Sequence, residues 1–207
     1  MTTPPVIAPI VEGHGEVPAV REIVTRIGLE LLGGTWIDVA QPFRLDSGKM
    51  RKPDELAKAI RFAAARIQGP GGVLVLRDGD DADIACPVQL AEMLRPRQNL
   101  VPVGVEIVVA YQEYESWFLA AADSLRAHPD VRNDAVAPAN PEGRRGAKRE
   151  LEKLMLESYK ETRHQPKFSA LIDLTTASKN SRSFRRMVHA VETLAGRVED
   201  SLSAVPS

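Results

Sequence analysis

The 207-residue chain sets 27 Lys and Arg against 28 Asp and Glu, and its 43% of hydrophobic residues suffice for one sizeable core, or for one domain with a smaller appendage. A formal net charge of -1 excludes a broad basic field of the kind that coats nucleic acid, leaving only local basic clusters. The lone Cys86 excludes an internal disulfide and cysteine-based zinc sites, and no stretch has the roughly twenty apolar residues of a membrane span or the basic start of a signal peptide, so a cytoplasmic protein without membrane contact is expected.

In chain order, residues 5–11 (PVIAPIV) read as a first strand, although Pro9 lacks the N–H that a central strand would donate. The turn Glu12-Gly13-His14-Gly15-Glu16 leads into a helix that Pro18 suits in its first turn and that Val20, Ile23, Val24, Ile27 and Leu31 mark with helical period. Gly33-Gly34 ends it, and residues 36–40 form the next strand. After a polar loop around Asp46 and Lys49, Pro53 opens a helix with Leu56, Ala59, Ile60, Ala63 and Ile67 on one face.

Glycines then deliver the chain to Val73-Leu74-Val75-Leu76, an apolar run read as a strand buried on both faces, which opens abruptly into Asp78, Asp80, Asp81 and Asp83. A helix from Pro87 to about Pro96, a strand over residues 103–111 and a helix carrying Trp117, Phe118, Ala121 and Leu125 follow. Strands alternating with helices predict an α/β fold: a Rossmann-like, mostly parallel sheet with helices on both faces. Residues 1–127 would form that domain, 128–146 a loop or linker, and 147–207 a helical extension packed on it. The extension shows three apolar stripes, over residues 151–159, 168–174 and 184–202, the last with Ser181 or Ser183 as N-cap.

Functional groups of open parallel sheets gather where strands hand over to helices. Glu12, Asp78 with Asp80, and Glu113 with Glu115 occupy that position on three strands, so residues far apart in sequence can meet on one rim. Asp78 and Asp80, two apart, would leave an extended chain on the same side. So many carboxylates, with no lysine on the same loops, are costly together unless they bind a hard cation, and Mg2+ or Mn2+ is expected. Asp78 and Asp80 would hold it, Glu12 would be a ligand or a general acid/base, Asp81 or Asp83 can replace Asp80, and Glu115 can complete a second site. The bland alternatives are a solvated Asp-Gly turn, and for Glu16 and Glu115 carboxylates favoured by a helix dipole. His14 reads as a bystander, and Trp117 and Phe118 as core.

Glu12 in IVEGHGE, followed after a βα repeat by Asp78 and Asp80 in VLVLRDGD, resembles the signature of Toprim domains. With AYQEYESWFLA and SRSFRRM, the chain is most similar to the bacterial domain-of-unknown-function family 4276, grouped with OLD-family and RloB-like nucleases. The resemblance implies a Toprim-like core over residues 5–125, Glu12 as acid/base, Asp78 and Asp80 as magnesium ligands, and Glu115 at the acidic position before Trp117. It also implies a nuclease with an ATPase partner in a bacterial defence or DNA-repair setting. The chain has neither a topoisomerase tyrosine domain nor an ATPase motif, so neither of those activities carries over. Two basic clusters, residues 144–149 and Lys179, Arg182, Arg185 and Arg186, usually mark solvated faces but supply charge that a phosphate backbone wants; Lys179, Arg182 and Arg185 are the expected substrate contacts.

The expectation is therefore a magnesium-dependent phosphodiesterase acting on DNA or RNA, with homo-oligomerisation left open. Its rivals are a small-molecule phosphohydrolase and a non-catalytic, metal-binding interaction module.

Overall fold

The computed structural model describes residues 3–80, 86–96, 100–143 and 145–196. Strands β1 (Val6–Val11), β2 (Asp38–Val39), β3 (Phe43–Arg44), β4 (Gly71–Asp78) and β5 (Gly104–Ala110) form one five-stranded sheet whose pairings are all parallel. β4 separates β1 from β5. On its other side β1 meets an outer strand made in two pieces, β2 along its beginning and β3 along its end.

That division accounts for Pro9 in a central strand. Ile7 lies opposite Val39 and Ile10 opposite Phe43, so the break in the outer strand falls beside Ala8 and Pro9. Ile7 accepts a hydrogen bond from the Ala40 N–H on that side, and residue 9, two further along, faces the same way. The missing proline N–H thus falls where the ladder is already interrupted. The strand expected over residues 36–40 is correspondingly shorter, and Phe43–Arg44 continues it.

Side-chain alternation along the strands builds a core on each face. Val73 and Val75 of β4 join Ala8 and Ile10 beneath Leu56 and Ile60 of α3 (Pro53–Ala64) and Leu90 of α4 (Pro87–Leu94). Leu74 and Leu76 point the other way, joining Ile7 and Val11 beneath α1 (Glu16–Arg26), α5 (Glu115–Ala120) and α9 (Arg182–Leu194). A short helix, α2 (Ser47–Met50), precedes α3, with the Asp46 side chain accepting from the Lys49 N–H as its N-cap.

The carboxyl-terminal helices α6 (Ala147–Glu152), α7 (Glu161–Leu171), α8 (Leu174–Asn180) and α9 contribute Leu151, Phe168, Leu174, Phe184 and Met187 to the same core cluster as Ile7 and Leu74. α9 runs back along β4 and β5. A Cβ at Gly72 would come within 2.5 Å of the Gly104 carbonyl oxygen on β5 and of Leu194 Cδ2, so glycine lets the start of β4 lie this close to β5 and to the end of α9. Ser181 caps α9 by accepting from the Phe184 N–H. Two stripes differ from their sequence reading. α6 stops at Glu152 and Met155 instead bridges antiparallel to Val131, while α9 ends at Leu194; Val198 and Leu202 lie outside the described residues. No helix among the described residues is long and apolar enough to cross a membrane.

Candidate functional site

Val11 is in register with Leu76, and Leu76 with Val108, so the residues that follow β1, β4 and β5 leave the sheet on one rim. Glu12, Asp78 and the turn into Glu115 therefore come together across three adjacent strands.

Asp78 ends β4 buried, its Oδ1 accepting the Tyr114 N–H at 2.8 Å. Glu115 is fully buried at the start of α5. Its Oε1 accepts from the Tyr159 hydroxyl and from Gln165 Nε2, each at 2.8 Å, whereas its Oε2 has no hydrogen-bond partner. Glu12 Oε2 likewise lacks one, although Arg77 Nε stands 3.8 Å away. Glu16, one helical turn after Glu12, is buried and accepts the Glu12 N–H at 3.0 Å. Lys148 closes the far side: its N–H reaches Glu113 Oε2 at 3.0 Å and its Nζ meets Glu161 at 2.7 Å.

Crowded burial governs the charges. Burial, then repulsion from Glu16, Glu115 and Glu12, lifts the Asp78 carboxyl well above the ordinary range, with Lys148 opposing. Burial pushes Glu16 up to about 8, against the Glu12 N–H that favours its ionised form. Glu115 is raised by burial too, partly offset by Lys148, Tyr159 and Gln165. Burial works against the Lys148 charge, but Glu115, Glu161 and Asp78 hold its pKa above the lysine range. Burial thus disfavours the charged form at Asp78, Glu16 and Glu115 alike.

A supporting layer fixes the hydroxyl on Glu115. The Tyr159 ring stacks on His164 with centroids 5.5 Å apart. His164 Nδ1 accepts the Lys160 N–H, so Nε2 carries the proton and faces Asp130 Oδ2 at 3.2 Å. Burial alone would raise Asp130, but the His164 hydrogen bond and the Arg163 charge hold it below the usual carboxylate range.

Gly15 sets how closely α7 approaches. Its φ of -68° is ordinary, but an added Cβ would lie 2.2 Å from Gln165 Oε1 and 2.8 Å from the Glu161 backbone. Gly15→Ala is therefore expected to push α7 off α1, costing about 1–3 kcal/mol of stability and loosening the Gln165 contact to Glu115. Thermal unfolding checks this: a fall of roughly 2–12 °C is expected, and an unchanged midpoint would contradict so tight a seat.

The other sequence candidates are placed differently. β4 ends at Asp78, and the Gly79 N–H turns to the Gln112 carbonyl at 2.9 Å, so the strand alternation expected to carry Asp80 to the same side stops there; Asp78 is buried and Asp80 exposed. Asp81 and Asp83 lie outside the described residues. His14, Lys179 and Arg182 are exposed, and Trp117 and Phe118 are core. Arg185 donates to the Ser178 and Lys179 carbonyls that end α8, and Arg186 pairs with Glu106.

Arg77, Tyr159 and Gln165 escaped the sequence reading as site residues, while Glu16 stood in it only as a helix-start carboxylate and Lys148 only within the basic cluster 144–149. Arg77, a charge inside an apolar strand, was the visible anomaly. Glu16 had a local signal in its spacing of four from Glu12. Lys148, Tyr159 and Gln165 arrive by tertiary packing and had none. No lysine was expected on the carboxylate loops themselves; the partnering Lys148 comes from a different element, α6.

Among the described residues, no group of three or more His, Cys, Asp or Glu side chains stands arranged to hold a metal ion. The donor chemistry nonetheless suits a hard divalent cation, since two buried carboxylate oxygens, Glu12 Oε2 and Glu115 Oε2, have no hydrogen-bond partner.

The model of a family described as a domain of unknown function (DUF4276) matches residues 11–192, from the end of β1 into α9. Neither a curated protein nor a solved structure matches the chain.

Proposed function

The chain belongs to the DUF4276 family, and from that premise we propose that it is a Toprim-type, Mg2+- or Mn2+-dependent nuclease whose active site is the carboxylate rim. The observation that carries this reading is the convergence of Glu12, Asp78 and Glu115 from three parallel strands, with two orphaned oxygens and with the Asp78 and Glu115 carboxyls raised by burial. Such a cluster gains most from a divalent cation.

Glu12, Asp78 and Glu115 would hold the ion, with Asp80 at the mouth. Bound there, the ion supplies polarisation of a phosphodiester and offsets the charge that develops on its oxygens. The Tyr114 N–H fixes one oxygen of Asp78, and Tyr159 with Gln165 fixes one of Glu115, which leaves one oxygen of each carboxylate to act. Glu12 Oε2, beside Arg77, takes or returns the proton of the attacking water. The likeness to OLD-family and RloB-like nucleases adds an ATPase partner and a bacterial defence or DNA-repair setting to the same proposal, and the lone Cys86 a cytoplasmic site of action.

One observation favours a second reading, the non-catalytic interaction module in the form that docks a basic partner on its acidic edge: no ready-made metal ligand set exists among the described residues. Incubating the protein with labelled DNA and RNA, and separately with a generic phosphate ester, with Mg2+, Mn2+ or EDTA, separates the readings. Metal-dependent strand cleavage is the expected result. Ester turnover without strand cleavage would favour a phosphohydrolase, and inertness toward all substrates the module.

A further inference from the structure

We propose that two basic walls flanking the carboxylate rim form a track for a nucleic-acid strand, with Arg44, Lys49 and Lys52 on one side and Arg145 and Arg149 on the other. The proposal rests on the nuclease reading of the same rim and names the surface that holds its substrate.

The first wall follows β3. Arg44 lies opposite Val11 and its guanidinium reaches the Glu12 carbonyl at 3.4 Å, so this wall begins beside the first carboxylate. Lys49 and Lys52 stand exposed on α2 and just after it. That short helix is anchored by buried Leu45 and Met50 and capped by Asp46, so its charges have a firm base. The second wall is α6, pinned to the rim by the Lys148 N–H on Glu113 and by buried Ala147 and Leu151; Arg145 and Arg149 beside them are exposed.

The chain carries a net charge of -1, and an acidic rim by itself repels a polyanion. Cations on both sides remove that barrier along one line across the sheet. From β3 through β1 and β4 to β5 is three strand spacings, about 14 Å, or roughly four phosphates of a stacked strand. At the α8–α9 junction Arg185 and Arg186 are engaged with carbonyls and with Glu106, while Lys179 and Arg182 are exposed, so that patch is the competing surface.

The test is fluorescence anisotropy of the full chain with a labelled single-stranded oligonucleotide of about 20 nucleotides, between about 50 and 200 mM salt, with Ca2+ replacing Mg2+. Lys49→Glu/Lys52→Glu and Arg145→Glu/Arg149→Glu are each expected to weaken binding at least about tenfold and to flatten the salt dependence by about one to two counterions. The neutral pair Lys49→Gln/Lys52→Gln and thermal unfolding guard against a folding defect. The track is overturned if neither wall, or only one, changes the affinity; if Lys179→Glu/Arg182→Glu causes the loss instead; or if the wild type binds no oligonucleotide, including the case where it binds only anionic vesicles. The readout needs no turnover. A protein that binds through both walls yet cleaves nothing would refute the nuclease and keep the track.

Discussion

Asp78→Asn is expected to lower metal-dependent cleavage at least about 100-fold while leaving the fold as stable as before, or more so, at about pH 8. Burial, then repulsion from Glu16, Glu115 and Glu12, raises the Asp78 carboxyl well above its ordinary value and so favours the neutral acid. An amide has the shape of that neutral acid and keeps an oxygen for the Tyr114 N–H, so the native packing survives. What it cannot do is ionise to receive a cation. A cleavage assay beside a melting curve on the same preparation checks both halves. Equal losses of stability and activity would mean that Asp78 acts through the fold. Undiminished cleavage would remove it from the site.

Stability of the metal-free protein should fall as pH rises from about 4.5 to 8. Glu16 has an ordinary value of 4.5 and a folded value of about 8, so between these limits the folded state binds more protons than the unfolded one. The stabilisation is complete below the lower limit and is lost through the upper, which makes the slope negative. The raised values of Asp78 and Glu115 add in the same direction. Glu142 and Asp173, held low, act with the opposite sign below about 4.5, and His128, lowered by burial, opposes the fall around its ordinary value of 6.5 without matching the three raised carboxyls. Maximum stability should therefore lie near pH 5, with a loss of the order of a few kcal/mol by pH 8. Glu16→Gln should flatten the profile and raise the melting point on its alkaline side. Melting curves across this range with EDTA present check it, and a rising or flat profile would show that the carboxylates ionise at ordinary values.

The portion of this site that was legible in sequence is the portion that strand register dictates. Buried apolar runs ending in acids place Glu12, Asp78 and Glu115 on one rim, because parallel strands joined by helices share a direction. The period of two holds only while the chain stays extended, and β4 ends at Asp78, two residues before the exposed Asp80. Helical period similarly reports spacing and not helix ends, so Met155 fitted a stripe although the helix stops at Glu152. Glu16 read as a surface carboxylate at a helix start; it is buried because α7, some 145 residues later, packs across Gly15. Tyr159, Gln165 and Lys148 reach Glu115 by the same long-range packing, which no local pattern encodes.

The central claim is that these carboxylates close around one divalent ion. Anomalous scattering from a crystal soaked in Mn2+ tests it most directly. The expected result is a manganese peak on the rim within bonding distance of Asp78 and of at least one of Glu12 and Glu115. Full Mn2+ loading of the crystal with the peak elsewhere, or no peak at the rim at all, would contradict the account.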